Sequence, residues 1–142
     1  MSSFTVEAAS QVLRENFAPW IHDLGLVVED VGGSAARLRL PFSTRLTRVG
    51  GTICGQALMS FADTAMVIAI SGASGGFRPM TTVGQTTSFL RPVSEHDVIA
   101  DARVLRLGRT LAFGEVAMRA ANADSLAAHV TTTYAILGQP AG

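Results

Sequence analysis

Gly50-Gly-Thr-Ile-Cys-Gly-Gln-Ala-Leu-Met-Ser-Phe-Ala-Asp-Thr-Ala-Met-Val-Ile-Ala-Ile70 is the stretch that decides the fold of this chain. Ala, Leu and Met favour helix, and no proline occurs between Gly50 and Arg78, so we predict one helix from Cys54 to about Ser71. At about 100° per residue, its polar side chains share roughly a quarter of the circumference: Gln56, Ser60, Asp63, Thr64 and Ser71. A helix that is apolar on its other sides belongs in the middle of a fold.

Asp63 is the anomaly in that helix. An ionised carboxylate in a largely buried position costs on the order of several kcal/mol unless it is paired or partly hydrated. One explanation is structural, with the carboxylate bonded to Ser60, to Thr64 or to an arginine from a strand. The other is functional, with the carboxylate facing a cleft as a general base or nucleophile. The helix sequence by itself leaves both explanations open.

The rest of the chain contains one further predicted helix and six predicted strands. An amphipathic pattern predicts a helix from Thr5 to Phe17, which Trp20 is expected to pack onto the body. The strand-like segments are Leu24–Val31, Ala35–Phe42, Met80–Leu90, Asp97–Leu107, Thr110–Arg119 and Leu126–Leu137. Turn signals separate the last four segments and no helix intervenes, which predicts an antiparallel meander. We expect a single α+β domain over residues 1–142, with a curled antiparallel sheet around the central helix.

Composition limits the partners of this chain. Of its 142 residues, 15% are charged and 48% are hydrophobic, and the formal net charge is zero. So small a charged fraction predicts that self-association covers some apolar surface. A neutral chain without a basic run is not expected to bind nucleic acid or an anionic membrane. Asp63, with polar neighbours on its face near the middle of the apolar stretch, argues against a membrane span.

Single residue types exclude several classes of chemistry. The chain has no lysine, which excludes a Schiff base and a Walker-type phosphate lysine. Cys54 is its single cysteine, which excludes an intrachain disulfide and a cysteine metal cluster. His22, His96 and His129 lie in separate segments without metal-ligand spacing. The first residues lack the basic and hydrophobic regions of a signal peptide, and we therefore expect a cytoplasmic location.

Three segments resemble a known family. Gly55-Gln-Ala-Leu-Met-Ser-Phe-Ala-Asp-Thr-Ala65 resembles the central helix of hotdog-fold acyl-CoA thioesterases, in the branch related to phenylacetyl-CoA thioesterase (PaaI-like). Thr82-Val-Gly-Gln-Thr-Thr-Ser-Phe-Leu-Arg-Pro-Val93 resembles that branch's strand ending in Phe-Leu-x-Pro-Val, and Gly108-Arg-Thr-Leu-Ala-Phe113 resembles its next hairpin. The resemblance covers roughly Leu24 to Leu137. It implies a hotdog fold, acyl-CoA thioester hydrolysis without a metal or organic cofactor, and dimers or dimers of dimers with sites between subunits.

The matched positions carry the family's functional residues onto this chain. Asp63 falls on the aspartate of the family's Asp-Thr-Ala motif, and Thr82 on a position that often carries Ser or Thr near the catalytic water. The family's His-Gly-Gly falls on Cys54-Gly55-Gln56, where only the middle glycine is retained, and its upstream asparagine falls near Arg48. The resemblance therefore implies catalytic roles for Asp63, Gly55 and Thr82, and places Cys54 and Gln56 beside the substrate.

Gly55 also suits an oxyanion site on physical grounds. The first amides of a helix are unpaired and carry partial positive charge, and a glycine lets a carbonyl approach its N–H closely. One such donor typically contributes about 3–4 kcal/mol to a tetrahedral transition state. A glycine required only for packing or for a turn is the alternative.

The spacing of Gly55 and Asp63 predicts a second subunit. Eight residues of helix span about 12 Å, whereas a base and an oxyanion donor must both lie about 3 Å from one reacting group. If both residues act, they come from two chains whose helices run antiparallel across a two-fold axis.

Four arginines are candidates for binding the phosphates of CoA, because a guanidinium suits bidentate phosphate contact. They are Arg45 and Arg48 before the helix, Arg91 after a strand and Arg109 at a hairpin tip, and a solvated loop charge is the alternative. Thr110 follows Arg109 in the matched hairpin and is a further substrate-binding candidate. Cys54 lies where a thiolate is favoured, but it has no histidine or aspartate near it in sequence, and a small buried residue is the alternative.

Two other functions on the same fold are alternatives to hydrolysis. A hotdog protein that binds acyl-CoA or a small aromatic ligand without turnover is consistent with the absent histidine and asparagine. A hydratase would normally show an Asp and a His close together on the helix, and this helix has no histidine.

Overall fold

The chain is built around one long helix and one antiparallel sheet. A computed structural model of the chain describes residues 4–138. Its helices are α1 (Val6–Asn16), α2 (Pro19–His22) and α3 (Gly55–Ala73), and a 3₁₀ turn covers Thr44–Leu46. Its strands are β1 (Val27–Gly32), β2 (Ala35–Leu40), β3 (Met80–Phe89), β4 (Val98–Leu107), β5 (Leu111–Ala120) and β6 (Ala128–Ile136). The two predicted helices and six predicted strands are all present, while α2 and the 3₁₀ turn add to them.

Helix α3 forms the centre of the fold, as its apolar circumference predicts. From Phe61 to Ser71 every residue except Asp63 is buried. The buried hydroxyls on this helix bond to carbonyls one turn earlier, and Ser71 Oγ, for example, donates to the Val67 carbonyl at 2.7 Å. Within residues 4–138, α3 alone is long and apolar enough to cross a membrane, and 67% of its apolar window is buried inside the protein. Its hydrophobicity is thus that of a core helix.

The sheet has the strand order β1-β2-β4-β5-β6-β3, and every neighbouring pair is antiparallel. The predicted four-strand meander is therefore wrong in one respect. β4, β5 and β6 form a meander, but β3 pairs with β6 at one edge of the sheet. Turn spacing locates the ends of strands and does not identify their partners. The long connection after β3, which contains Pro92, lets the chain cross to the far side and start β4 beside β2.

The sheet presents an apolar face to α3 and a charged face outward. On β2, Leu38 and Leu40 are fully buried, while Arg37 and Arg39 point away and pair with acidic side chains. Arg37 Nε lies 2.7 Å from an oxygen of Asp101 on β4. This alternation follows the predicted pattern, and the curled sheet around one helix is the expected α+β hotdog arrangement.

Helix α1 packs on the body through its apolar stripe, where Ala9 and Val12 are buried and Phe17 is partly buried. Thr5 caps it by accepting a hydrogen bond from the Ala8 N–H. The expected packing role of Trp20 is wrong for the single chain, because this side chain is 58% exposed. The short helix α2 turns Trp20 outward.

Candidate active site

The loop before α3 is shaped to present the start of the helix. Gly50 and Gly51 both have positive φ angles, which glycine adopts readily, and they form a tight turn. The Arg48 N–H donates to the Thr52 carbonyl at 2.9 Å and so closes this turn. The Cys54 N–H donates to the Leu46 carbonyl at 2.8 Å. These bonds hold the helix start in place.

Gly55 is the first residue of α3 and leaves its N–H open. Among residues 4–138, nothing accepts a hydrogen bond from this N–H, and the Cys54 side chain makes no capping bond. A Cβ added at Gly55 would lie 3.0 Å from Cζ of Phe89, closer than real side chains normally approach. Both sequence-based explanations of Gly55 therefore have structural support: the residue makes room for the Phe89 ring and also exposes a helix N-terminal amide.

A cleft of about 410 Å³ opens at this helix start. Gly55 lies in its wall together with Arg48 and Arg91, two of the four arginines predicted to bind phosphate. Apolar and small residues complete the lining: Thr52, Ile53, Leu58, Phe89, Leu90, Pro92 and Val93. The cleft thus combines two cations, a helix N-terminus and an apolar wall.

Asp63 lies two turns further along α3, where its half-buried side chain faces two hydroxyls. Thr82 Oγ1 on β3 donates to Asp63 Oδ1 at 2.8 Å. The hydroxyl of Tyr134 on β6 also donates to Oδ1 and lies 3.0 Å from the Asp63 main-chain carbonyl oxygen. The partners predicted by the structural explanation, Ser60, Thr64 and arginine, do not bond to this carboxylate in the described part of the chain.

Tyr134 is the residue of this group that sequence reasoning missed. It is fully buried, and burial, followed by the neighbouring Asp63 carboxylate, raises the pKa of its phenol above the usual value. The phenol therefore keeps its proton and acts as a hydrogen-bond donor. The sequence did contain a sign of this role, because Tyr134 is the single tyrosine of the chain and lies at an inward position of a strand with alternating burial. A buried tyrosine hydroxyl usually has a partner.

The pairing of β3 with β6 brings Thr82 and Tyr134 together. The two residues are directly opposite each other in the register. A bulge follows Thr82 in β3, and bulges redirect side chains along a strand. Beyond it, Gln85 also faces the helix and donates from Nε2 to the Met59 carbonyl at 3.1 Å. This contact fixes β3 against α3 beside the carboxylate.

Gly55 and Asp63 lie on the same continuous helix, eight residues apart. At about 1.5 Å per residue their separation along the axis is about 12 Å. A single chain therefore holds two half-sites, an open amide and a carboxylate, that are too far apart to act on one small group.

The remaining predicted substrate residues are spread over the chain. Gln56 is exposed on the first turn of α3, next to Gly55. Arg109 and Thr110 lie in the β4–β5 turn, where the Thr110 carbonyl accepts from the Ile136 N–H at 2.8 Å. Ile136 is eight residues from Ala128, the residue of β6 that is paired with Phe89, so these two ends of β6 lie about 26 Å apart. Within one chain the hairpin is therefore remote from the cleft, and a role in substrate binding stays a prediction.

Comparison with known proteins assigns this chain to a family. The family model described as Thioesterase superfamily matches residues 43–127, more than half of the chain. The chain belongs to the thioesterase superfamily. The matched region includes Gly55, Asp63 and Thr82, and it ends before Tyr134.

Two individual proteins are similar to this superfamily member over most of its length. A candidate esterase from Halobacterium salinarum is 34% identical over 102 residues, which cover 67% of this chain and just under two thirds, 66%, of that protein. A conserved protein from Pseudomonas aeruginosa has a solved structure that is 31% identical, with a TM-score of 0.79 over 85% of this chain and 95% of that one.

A more distant solved structure shows that the fold is shared. The E. coli PaaI protein from the phenylacetic acid degradation operon aligns with a TM-score of 0.81 over 95% of this chain and 97% of that one, at 19% identity. The hotdog fold expected from the sequence is thus confirmed. Superfamily membership supports thioester or ester hydrolysis in general.

Proposed function

We propose that this thioesterase-superfamily protein hydrolyses an acyl-CoA or aryl-acyl-CoA thioester to the free acid and CoA. In this proposal it acts in the cytoplasm as a homodimer or a dimer of dimers. It uses no metal or organic cofactor, and CoA enters as part of the substrate. The CoA substrate is supported by the family resemblance and by the cleft at Gly55, which carries Arg48 and Arg91. Arginine suits the phosphates of CoA, and the apolar wall suits an acyl chain or aromatic ring.

The Asp63 carboxylate is the observation that carries the proposal. It is half-buried, and in the described chain no arginine or histidine forms an ion pair with it. Two hydroxyl groups hold it instead, and Thr82 is one of them. A half-buried carboxylate without a cationic partner is unusual in a core helix, and a chemical role accounts for it better than a structural one.

The proposed reaction balances with water as the second reactant. The thioester carbonyl accepts a hydrogen bond from the Gly55 N–H, and Asp63 takes a proton from water while the water oxygen bonds to the carbonyl carbon. The tetrahedral oxyanion then collapses, the C–S bond breaks, and the thiolate takes the proton back from Asp63. Direct attack by Asp63, giving an acyl-aspartyl anhydride that water hydrolyses, has the same overall stoichiometry.

A second subunit supplies the missing geometry in this proposal. The Asp63 of one chain acts with the Gly55 of its partner, because the two groups of one chain lie about 12 Å apart along α3. Strand β3 is at the edge of the sheet, and large apolar side chains on it and just after it are exposed, with Val83 62% and Leu90 56% exposed. Met59 on the adjacent face of α3 is 41% exposed. Apolar surface next to an open strand edge favours burial against a second copy.

A panel of acyl-CoA and aryl-acyl-CoA thioesters, assayed with a thiol-detecting reagent, tests this function. We expect thiol release by the wild type, at least 100-fold slower release by Asp63→Asn, and unchanged melting of that variant. Substrate-free protein corrects for the reagent's reaction with Cys54, the single cysteine. Equal rates of thiol release by the wild type and Asp63→Asn would show that Asp63 is not required for hydrolysis.

The same panel decides between an enzyme and a ligand-binding protein. Binding without turnover is the second candidate function, because Cys54 and Gln56 stand where the family has His and Gly. A binding protein would melt at a higher temperature in the presence of an acyl-CoA and release no thiol. That result would contradict the proposed hydrolysis.

A further inference from the structure

The two oxygens of the Asp63 carboxylate have different surroundings. Thr82 Oγ1 donates to Oδ1 at 2.8 Å, and the Tyr134 hydroxyl contacts the same oxygen. Among residues 4–138 no group donates a hydrogen bond to Oδ2. Two neutral donors therefore hold one oxygen, and the other is free to meet a substrate or a water molecule.

Tyr134 is well placed to fix the orientation of this carboxylate. Its ring is fully buried under α3, so its hydroxyl has little freedom to move. That hydroxyl lies 3.0 Å from the Asp63 main-chain carbonyl oxygen while it also contacts Oδ1. One group therefore touches both the backbone and the carboxylate of Asp63, which restricts rotation of the side chain between them.

We propose that Tyr134 is a positioning residue of the candidate active site: it holds Oδ1 of Asp63, so that Oδ2 is the oxygen that reacts. In the general-base route Oδ2 takes the proton from water, and in the covalent route Oδ2 bonds to the carbonyl carbon. This inference rests on the proposed function. Tyr134 itself transfers no proton, because burial keeps its phenol protonated.

A purely structural role for Tyr134 makes a different prediction. A buried phenol needs an acceptor, and the Asp63 main-chain carbonyl alone would satisfy it. In that case, removal of the hydroxyl would lower stability and leave the catalytic rate unchanged. A positioning role predicts a lower rate, because a reacting oxygen that moves by about 1 Å can cost about 100-fold.

Steady-state kinetics of Tyr134→Phe separate these roles. We expect kcat to fall at least tenfold and KM to stay within twofold. Ser71→Ala is the matched control, since it removes a buried hydroxyl that bonds to a carbonyl of α3 away from the carboxylate. A wild-type value of kcat in Tyr134→Phe would overturn the inference.

A double-mutant cycle tests whether Tyr134 and Thr82 act on the same oxygen. If both hydroxyls hold Oδ1, their effects on kcat are coupled. The fold-decrease of kcat in the double variant Tyr134→Phe/Thr82→Val should then differ by threefold or more from the product of the two single fold-decreases. A fold-decrease in kcat equal to that product would mean that the two hydroxyls act independently, which would contradict the proposal.

A spectroscopic measurement tests the contact without any substrate and in the intact protein. Because Tyr134 is the single tyrosine, growth on 3-fluorotyrosine labels this position alone. We expect the ¹⁹F resonance of the wild type to differ from that of Asp63→Asn, because the charged carboxylate that the phenol contacts is replaced by a neutral amide. An identical resonance in the two proteins would contradict the contact. If the wild type releases no thiol from any thioester, the proposed function fails, whereas an active wild type with an unaffected Tyr134→Phe variant defeats this inference alone.

Discussion

At the scale of single residues, Asp63 differs from the acidic side chains of the sheet. Asp101 on β4 and Asp97 just before that strand pair with arginines of β2, where the charges balance and remain partly in water. Asp63 has only neutral hydroxyl partners in the described chain. Neutral donors orient a carboxylate without neutralising it, and a base or nucleophile requires its negative charge.

The hydroxyl of Thr82 should contribute to catalysis and little to stability. Thr82→Val keeps the β-branched shape but removes the donor to Oδ1 at 2.8 Å. Without this donor the carboxylate is less well positioned, and a misplacement of about 1 Å can cost about 100-fold in rate, so we expect kcat to fall at least tenfold with KM nearly unchanged. The measurement is steady-state thiol release from the best thioester of the panel.

Thr86→Val is the matched control for that experiment. Thr86 lies on the same strand, is exposed, and is opposite Thr131 on β6. We expect its kcat to equal that of the wild type. Equal losses in both variants would show that β3 responds to any Thr→Val change, and would contradict a specific role for Thr82.

The sequence predicted the site residues that lie in recognisable motifs and missed Tyr134, which is far from Asp63 in the sequence. Gly55, Asp63 and Thr82 lie in recognisable segments, so their residue types were informative. Tyr134 is 71 residues from Asp63, and its contact depends on β3 pairing with β6. Because the turn spacing predicted β3 next to β4, the sequence pattern had no means of placing Tyr134 opposite Thr82.

At the scale of elements, periodicity located the two longer helices and the six strands, but not the short helix α2. The all-round apolar pattern placed α3 in the core, and the alternation on β2 placed Leu38 inward and Arg37 outward. Long-range pairing was not accessible in the same way, because an edge strand and a central strand can share the same composition. The crossover after β3, which places β3 beside β6 and β4 beside β2, is therefore the part of the topology that periodicity did not predict.

The packing of α3 on β5 depends on Gly114. A Cβ at this position would lie 2.4 Å from Cε of Met66 and 2.9 Å from the Arg103 carbonyl oxygen. The methionine can move, but the backbone of β4 cannot move without disturbing the sheet. We therefore expect Gly114→Ala to lower the free energy of unfolding by about 1–3 kcal/mol, measured by urea denaturation.

Gly84→Ala is the comparison for this stability effect. A Cβ at Gly84 on β3 would meet no atom within 4 Å. We expect its urea midpoint to stay close to that of the wild type. Equal destabilisation in the two variants would indicate a general cost of replacing strand glycines rather than close packing at Gly114.

The connection into β4 should make stability depend on acid pH through Asp97. Its carboxylate accepts from the Phe42 N–H at 2.7 Å and from Arg39 at 3.0 Å, and the Phe42 bond is the first cause of the lowered pKa of Asp97. A carboxyl with a lowered folded pKa stabilises the protein above its ordinary value of about 4, and this stabilisation is lost as the pH falls further.

Asp97→Asn should therefore be less stable than the wild type by about 1 kcal/mol between pH 5 and pH 7, a modest value because the side chain is about one third exposed. The difference should narrow as the pH falls below about 4. Urea denaturation across this range measures it, with the exposed Asp124→Asn as control. A constant difference down to pH 3 would contradict the ionic origin of the effect.

At the scale of the whole molecule, several features favour a two-chain assembly. The charged fraction is only 15%, and the exposed apolar side chains include Val83, Phe89 and Leu90 on and just after β3. The edge of β3 has no partner strand within residues 4–138. A two-fold pairing on this face would create two equal sites, each using the Gly55 of one chain and the Asp63 of the other.

Complementation between two inactive variants tests that shared site most directly. Asp63→Ala and Gly55→Val are unfolded, mixed in equal amounts and refolded, and native mass spectrometry verifies the heterodimers. Random pairing makes half of the dimers mixed, with one intact site of two in each, so we predict recovery of about one quarter of the wild-type thiol release. If the verified heterodimers release thiol no faster than the parent variants, the shared site is contradicted.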